Sequence, residues 1–297
     1  MTKKKILIIG ATGMLGNGIF SQLTKKRDLD VYGTVRYLGE AQKFLPEKLI
    51  PKIQPNIDVE NIESLIKVFE KIKPHIVINC VGLIKQIMGS SDYQLAIYLN
   101  SFLPHRLAQL CQIFKVRLIH FSTDCVFSGQ KGNYQEKDYA DAPDLYGRTK
   151  YLGEVDYGNA LTIRTSIIGH GLESHVSLID WFLAQKGKIR GFSKVIYSGL
   201  PTVEQANIID KYIIPNPRLK GLYHISARPI SKYDLLKLVA KVYNKKIKIE
   251  PDDKIVADMS LDSSRFRKKT GYQPPNWRQL IQKMYQYYQT NPNFIKF

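Results

Sequence analysis

Apolar residues come in short bursts along the 297-residue chain, and the bursts alternate between two periods. Residues 5–9, Lys-Ile-Leu-Ile-Ile, are an apolar, β-branched run of the kind that fills a strand buried on both faces. The stretch that follows, through Leu23, has apolar positions at helical spacing. The same reading predicts strands over 30–35, 56–59, 75–82, 117–123 and 160–165, a late strand over 221–226, and helices over 62–71 and 100–114. Strands alternating with helices in this order imply a doubly wound parallel α/β sheet covered on both faces, whose ligands sit beyond the carboxyl ends of the strands. After about residue 166 the pattern loosens into loops and scattered helices. The last helix, over 277–288, aligns Trp277, Leu280, Ile281, Met284 and Tyr288 on one face. Such a face is expected to pack within its own fold, with a homodimer contact as the alternative.

The turn after the first strand reads Gly10-Ala-Thr12-Gly13-Met14-Leu15-Gly16. Glycines at 10 and 13 let a backbone approach a pyrophosphate, Gly16 lets helix pack on strand, and the helix start offers N–H groups to phosphate. A Rossmann dinucleotide-binding domain is therefore expected over 1–165, the whole turn, including Thr12, Met14 and Leu15, lying along the cofactor. The bland alternative is a plain βα turn. Residues 166–297 are expected to form mainly a smaller C-terminal α/β substrate-binding domain, with a segment near 197–226 returning to the first. At the end of the second strand, where an NAD site would place an acidic residue, the chain offers Thr34 and Arg36. A guanidinium suits a 2′-phosphate, which favours NADP(H), with NAD(H) the alternative. A solvated loop charge is the plainer account of Arg36.

Tyr146 lies 23 residues beyond Thr123, in Ser-Thr-Asp at 122–124, and Lys150 four further on. A four-residue step on a helix stacks the two side chains, and an ammonium beside a phenol is expected to ease its ionisation. With Thr123 at a strand end, the phenol becomes a general acid or base for a carbonyl or alcohol. Taken alone, the pair is an ordinary helix face.

Composition narrows the partners. With 44 Lys and Arg against 26 Asp and Glu the net charge is +18, but no run of five or six like charges appears, so a nucleic-acid role is not expected and attraction of an anionic nucleotide substrate is the milder reading. No apolar run approaches the length of a membrane span, so a soluble cytoplasmic protein with no membrane partner is expected. Cys80, Cys111 and Cys125 are odd in number and lack ligand spacing, which points away from a disulfide framework and a metal site.

Taken together, Gly10 to Gly16, Phe121-Ser-Thr-Asp-Cys-Val-Phe-Ser-Gly129, Tyr146 to Lys150 with Gly153-Glu154, Arg164-Thr-Ser, Leu200-Pro-Thr-Val and Gly221-Leu-Tyr-His-Ile-Ser resemble the extended short-chain dehydrogenases/reductases of the dTDP-4-dehydrorhamnose reductase type. The resemblance implies NADPH-dependent reduction of a nucleoside-diphosphate 4-keto-6-deoxy sugar, for deoxysugar or surface-polysaccharide synthesis. By matching motif, Thr123 would hold the substrate oxygen, Tyr146 protonate it, and Lys150 bind the nicotinamide ribose. Asp58 and Val59 would lie at the adenine, Cys80, Val81 and Gly82 along the cofactor, and Asn100 in a supporting helix. Asp124, Cys125 and Ser166 would line the substrate, with Lys85 meeting a phosphate or hydroxyl. The chain departs from the family at Cys125, usually Tyr, and at 81–86. His170 is a second candidate for proton transfer. Two other readings share the motifs: a nucleotide-sugar dehydratase or epimerase, which would want Glu where Cys125 stands, and a non-catalytic NADP-binding regulatory subunit like the β subunit of methionine adenosyltransferase.

Overall fold

In the computed structural model, residues 3–84, 93–172, 177–291 and 293–294 are described. Strands β1 (Lys4–Ile9), β2 (Leu29–Thr34), β3 (Ile53–Gln54), β4 (Ile76–Asn79), β5 (Arg117–Ser122) and β6 (Ala160–Arg164) pair in the order β3-β2-β1-β4-β5-β6, and the strand Gly221–His224 adds beyond β6. Every pairing in this seven-stranded sheet is parallel. The chain order reverses between β1 and β4, which opens a crevice at their carboxyl ends.

The apolar run of β1 explains its central place. Ile6 and Ile8 face one core layer and Leu7 and Ile9 the other, all fully buried, as the period of two requires. Helix α1 (Met14–Leu23) covers the first layer; α3 (Ile62–Ile72) and α5 (Leu103–Ile113) cover the second. Between β2 and β3 lies α2 (Leu38–Phe44) in sequence, and α4 (Tyr93–Ile97) leads through a π-helical turn, Tyr98–Phe102, into α5. Helix α6 (Leu145–Leu152) starts at Asp144, whose carboxylate accepts the Gly147 N–H at 2.8 Å as an N-cap.

The predicted strand over 56–59 is not one. The third strand ends at Gln54, Pro55 has no N–H to donate, and Asn56 turns into the left-handed region at φ 62°, so the following residues leave the sheet. Turn chemistry there outranks the apolar pattern.

The second half is richer in strands than the loose pattern predicts. Lys188–Phe192 pairs in parallel with Lys248–Asp252, and Val195–Tyr197 lies between Ile230–Ser231 and Ala257–Asp258. These strands and the helices Leu178–Ala184 and Lys232–Val242 surround a separate core that includes Ile179, Phe182, Leu235 and Val239. Other segments return to the large sheet: Ile208, Ile213, Phe266 and Tyr272 join the layer of Ile6 and Ile8. The final helix, Trp277–Thr290, connects the layers. Leu280 enters the layer of Ile6 and Ile8, Ile281 and Met284 the separate core around Ile179 and Phe182, and Tyr288 a cluster with Tyr287 and Phe294. Its apolar stripe is thus buried within the chain, each large side chain contributing about 1.5–3 kcal/mol. Among the described residues no helix is long and apolar enough to cross a membrane.

Candidate active site

At the crevice, Gly10 turns with φ 85°, and its N–H donates to the Thr34 hydroxyl at 3.2 Å, fastening the glycine turn to the end of β2. Thr34 is buried there and anchors the turn instead of facing a ribose. A Cβ on Gly16 would overlap the Gly10 carbonyl oxygen, so only glycine lets α1 pack this closely. Gly13 is different. It is exposed, a Cβ there would meet no protein atom nearer than 3.7 Å, and α1 begins at it without a side-chain cap or an acidic residue in its first turn. The first-turn N–H groups beside Thr12, Met14 and Leu15 are thereby presented to an anion. This donor set fits the pyrophosphate of a dinucleotide.

Past β2, Arg36 is about half exposed, 4.0 Å from an Asp58 carboxylate oxygen and 3.8 Å from Glu60. Those distances leave its donors largely uncommitted, at the rim where β2 ends. Val59 is buried beside it and its carbonyl accepts from Tyr98 at 3.2 Å. On the other side of the crevice, the Asn79 side chain holds the Val81 N–H at 3.1 Å, shaping the exit of β4 through Cys80, Val81 and Gly82. Asn100, wholly buried in the π-helical turn, clasps both backbone groups of Leu83, accepting from its N–H at 2.9 Å and donating to its carbonyl at 3.0 Å. A Cβ on Gly82 would lie 3.1 Å from the Asn100 side chain and 3.7 Å from Lys150 Nζ. Asn79 and Asn100 therefore fix the segment that carries Cys80 to Gly82 toward the Lys150 ammonium.

Thr123 follows β5 and caps a short 3-10 turn, Asp124–Val126, by accepting the Cys125 N–H at 3.1 Å. Its hydroxyl also lies 3.2 Å from Asp124 and hydrogen-bonds Tyr146. The close fit depends on Gly147, where any Cβ would overlap the Cys125 carbonyl, so α6 rests backbone against backbone on that turn. Lys150, buried one helical turn beyond Tyr146, donates to the Phe121 carbonyl at 2.7 Å.

The electrostatics reverse one expectation. Burial, then the neighbouring Cys125, raises the Tyr146 pKa, and the Thr123 hydrogen bond only partly opposes them. The phenol is not eased toward ionisation by Lys150, because that ammonium is turned to the Phe121 carbonyl; Tyr146 keeps its proton at neutral pH. Burial lowers Lys150 to about 8, with Glu154 pulling in the opposite direction. Burial also raises Asp124, against hydrogen bonds from Thr123, Cys125 and Ser166. Asp124 is only 3% exposed, so it braces Thr123 and Cys125 from behind instead of lining an open surface.

Ser166 stands half-buried at the same cluster with Tyr197, whose pKa is raised by burial and then by Asp124. Tyr197 comes from a strand about 30 residues on, and no local motif marks it. Asp144, by contrast, carries a local signal, an aspartate two residues before Tyr146 that caps the helix. Lys85 lies outside the described residues. His170 is buried and occupied: Nδ1 pairs with Asp180 at 2.6 Å, Nε2 with the Tyr243 hydroxyl at 2.8 Å, and Tyr288 stacks on the ring. Both ring nitrogens are engaged, one by Asp180 on the helix Leu178–Ala184 and the other by Tyr243 at the end of Lys232–Val242, which removes the geometric basis for proton transfer. Among the described residues no group of His, Cys, Asp and Glu could hold a metal ion.

Comparison with known proteins covers almost the whole chain. The family model described as RmlD substrate binding domain matches residues 4–290. The methionine adenosyltransferase 2 subunit beta of Xenopus laevis is 26% identical over 262 residues, covering 81% of this chain and 72% of that protein. The spore coat polysaccharide biosynthesis protein SpsK of Bacillus subtilis is 27% identical over 229 residues, covering 75% and 73%. The fold matches the NADP complex of dTDP-4-dehydrorhamnose reductase from Bacillus anthracis with a TM-score of 0.78 at 22% identity, over 96% of this chain and 99% of that one.

Proposed function

This chain belongs to the RmlD substrate binding domain family, and on that premise we propose that it is an NADPH-dependent oxidoreductase reducing the keto group of a nucleoside-diphosphate 4-keto-6-deoxy sugar. The observation that carries the reading is the Thr123 and Tyr146 hydroxyl pair at the carboxyl edge of the sheet, with Lys150 one turn further along α6. Residues 1–165 supply the dinucleotide side of the crevice, and 166–297 mainly the sugar side.

NADP(H), when bound, supplies the hydride. Gly13 and the amides at Thr12, Met14 and Leu15 hold its pyrophosphate, in a turn whose shape Gly10 and Gly16 permit, and Arg36 its 2′-phosphate, which sets the preference over NAD(H). Asp58 and Val59 flank the adenine; Cys80, Val81 and Gly82, steadied by Asn100, run along the cofactor toward Lys150, which holds the ribose. Thr123 donates to the sugar carbonyl oxygen and Tyr146 delivers the proton as negative charge develops there. A phenol whose pKa burial has raised is in the protonated state that reduction needs. Cys125 faces the cluster where water elimination would want a second carboxylic acid, and a thiol has a different pKa and weaker hydrogen bonding. Ser166 completes the sugar side.

The β-subunit relative favours a second reading, a regulatory subunit that binds NADP without turning over sugar. One mixture separates the two. Purified protein with NADPH and a panel of dTDP- and UDP-4-keto-6-deoxyhexoses should consume one NADPH per 4-hydroxy sugar formed. Tight NADPH binding with every sugar untouched would transfer the chain to the regulatory reading, and conversion of a nucleoside-diphosphate hexose lacking the keto group, with no net loss of NADPH, to the dehydratase.

A further inference from the structure

We propose that Glu154 is a positioning residue for this reaction: its carboxylate, pinned between Arg164 and Ser122, keeps the buried Lys150 ammonium charged and held at the edge of the crevice. The proposal rests on the reductase reading for its consequence and on geometry for its cause. Arg164 grips Glu154 with two parallel bonds of 2.7 Å from Nε and Nη2, and both side chains are nearly sealed from solvent, 3% and 8% exposed. Ser122 donates to the same carboxylate at 2.6 Å. Ser122 is the residue directly after Phe121, whose carbonyl receives Lys150 Nζ. The carboxylate is therefore fixed next to the strand position that binds the lysine. Glu154 lies four positions beyond Lys150, just past the end of α6 at Leu152, and its N–H turns back onto the Tyr151 carbonyl at 3.1 Å, which keeps it close to the helix end that carries the lysine.

A buried ion pair is a poor device for stability alone, since apolar residues of like volume serve as well or better. Here the pair sits beside a third, lone charge. The titratable groups facing Lys150 are Cys80 beyond β4, His120 on β5 and Glu154 beyond α6. Burial raises the Cys80 thiol, and burial together with the Lys150 field lowers His120, so both stay neutral near pH 7. Glu154 is then the anion that answers the ammonium. Arg164, by sharing that carboxylate, sets how much of its field reaches the lysine. Without Glu154 a desolvated ammonium in this place gives up its proton at neutral pH, and a neutral amine makes a weaker hydrogen bond to a ribose.

The test is an NMR titration of protein labelled with ¹³C at lysine Cε, the Lys150 resonance assigned by its absence from Lys150→Met. The wild-type midpoint is expected near 8. Glu154→Gln should move it down by about one to two pH units, the interaction expected between nearby charges at intermediate dielectric. Arg164→Gln, which frees the carboxylate, should move it up. Opposite displacements are the signature, because general loosening of the fold would shift both variants the same way. Should Glu154→Gln not fold, Glu154→Asp, with the carboxylate drawn back by one methylene, should give a smaller downward shift. In turnover, the alkaline limb of kcat/KM should follow the titration in each variant. An unchanged midpoint in the Glu154 variant, or shifts of one sign in both, overturns the proposal. The titration needs neither cofactor nor sugar, so a failed reductase reading shows separately, as wild-type protein that turns over no ketone.

Discussion

Gly13 and Gly16 lie three residues apart in one turn, yet their replacement by alanine should break different things. At Gly16 the new methyl would overlap the Gly10 carbonyl, and the neighbours are backbone that cannot swing away. Overpacking of this kind costs about 1–3 kcal/mol, and at roughly 2–4 °C per kcal/mol for a chain of this size the ligand-free protein should melt about 2–12 °C lower. At Gly13 the backbone, φ −75° and ψ 160°, is open to alanine and no protein atom lies within 3.7 Å of the added carbon. Losing glycine at an N-cap costs a few tenths of a kcal/mol to about 1, and the stiffer unfolded chain returns about 0.4–1, so the net change should stay within about 0.5 kcal/mol. The methyl projects into the space assigned to pyrophosphate. Displacing one charge-assisted N–H contact is worth about 1.5–3 kcal/mol, a roughly ten- to hundredfold weaker Kd for NADPH. Thermal melts without ligand and NADPH fluorescence titrations, run on both variants, read the two effects apart. Gly13→Ala that binds NADPH as tightly as wild type would refute the phosphate cradle, and a thermally silent Gly16→Ala would refute the packing argument.

Tyr146→Phe keeps the ring but removes the transferable proton; turnover should fall about 10²–10⁴-fold while NADPH titration stays near wild type, and normal turnover would assign the proton elsewhere. Arg36→Ala should weaken NADPH by roughly ten- to a hundredfold, one charge-assisted contact, and leave NADH little changed; equal losses for both dinucleotides would detach Arg36 from the 2′-phosphate. His224 gives a pH dependence with a defined sign. Burial, then Arg164, lowers its pKa from 6.5 to about 3, so between those values the unfolded chain binds the proton and the folded one does not. Its contribution is intact above 6.5 and lost as pH falls toward 3, about 2 kcal/mol of it between pH 7 and 5. Urea unfolding of His224→Asn should show a flatter acid limb than wild type, and matching limbs would mean that other groups govern acid sensitivity.

The parts of this protein legible in its sequence are those where chemistry and chain neighbourhood coincide. The apolar run of β1 with Gly10, Gly13 and Gly16 announces strand, turn and helix together, because periodicity and the demand for a missing Cβ are local properties. The step from Tyr146 to Lys150 is equally local: any helix puts them one turn apart. What the step could not supply was the direction of either side chain. Lys150 bonds the Phe121 carbonyl, 29 residues away, and the Tyr146 pKa rises because desolvation and the neighbouring Cys125 outweigh the Thr123 hydrogen bond, a balance that exists only once the core has closed around it.

The third strand shows a local signal overlooked, since Pro55 and Asn56 carry their own stop. Other features have no local signature at all. Nothing in the run around His170 tells that Asp180 and Tyr243 occupy both its nitrogens, and nothing around Glu154 names Arg164 and Ser122 as its partners. The sequence by itself determined the repeating βα order, the turn open to phosphate and the hydroxyl and amine types on offer. The tertiary structure alone decided which of those groups stay protonated, which are occupied as clasps and which face the crevice, because burial and long-range pairing, unlike periodicity, are properties of the closed core.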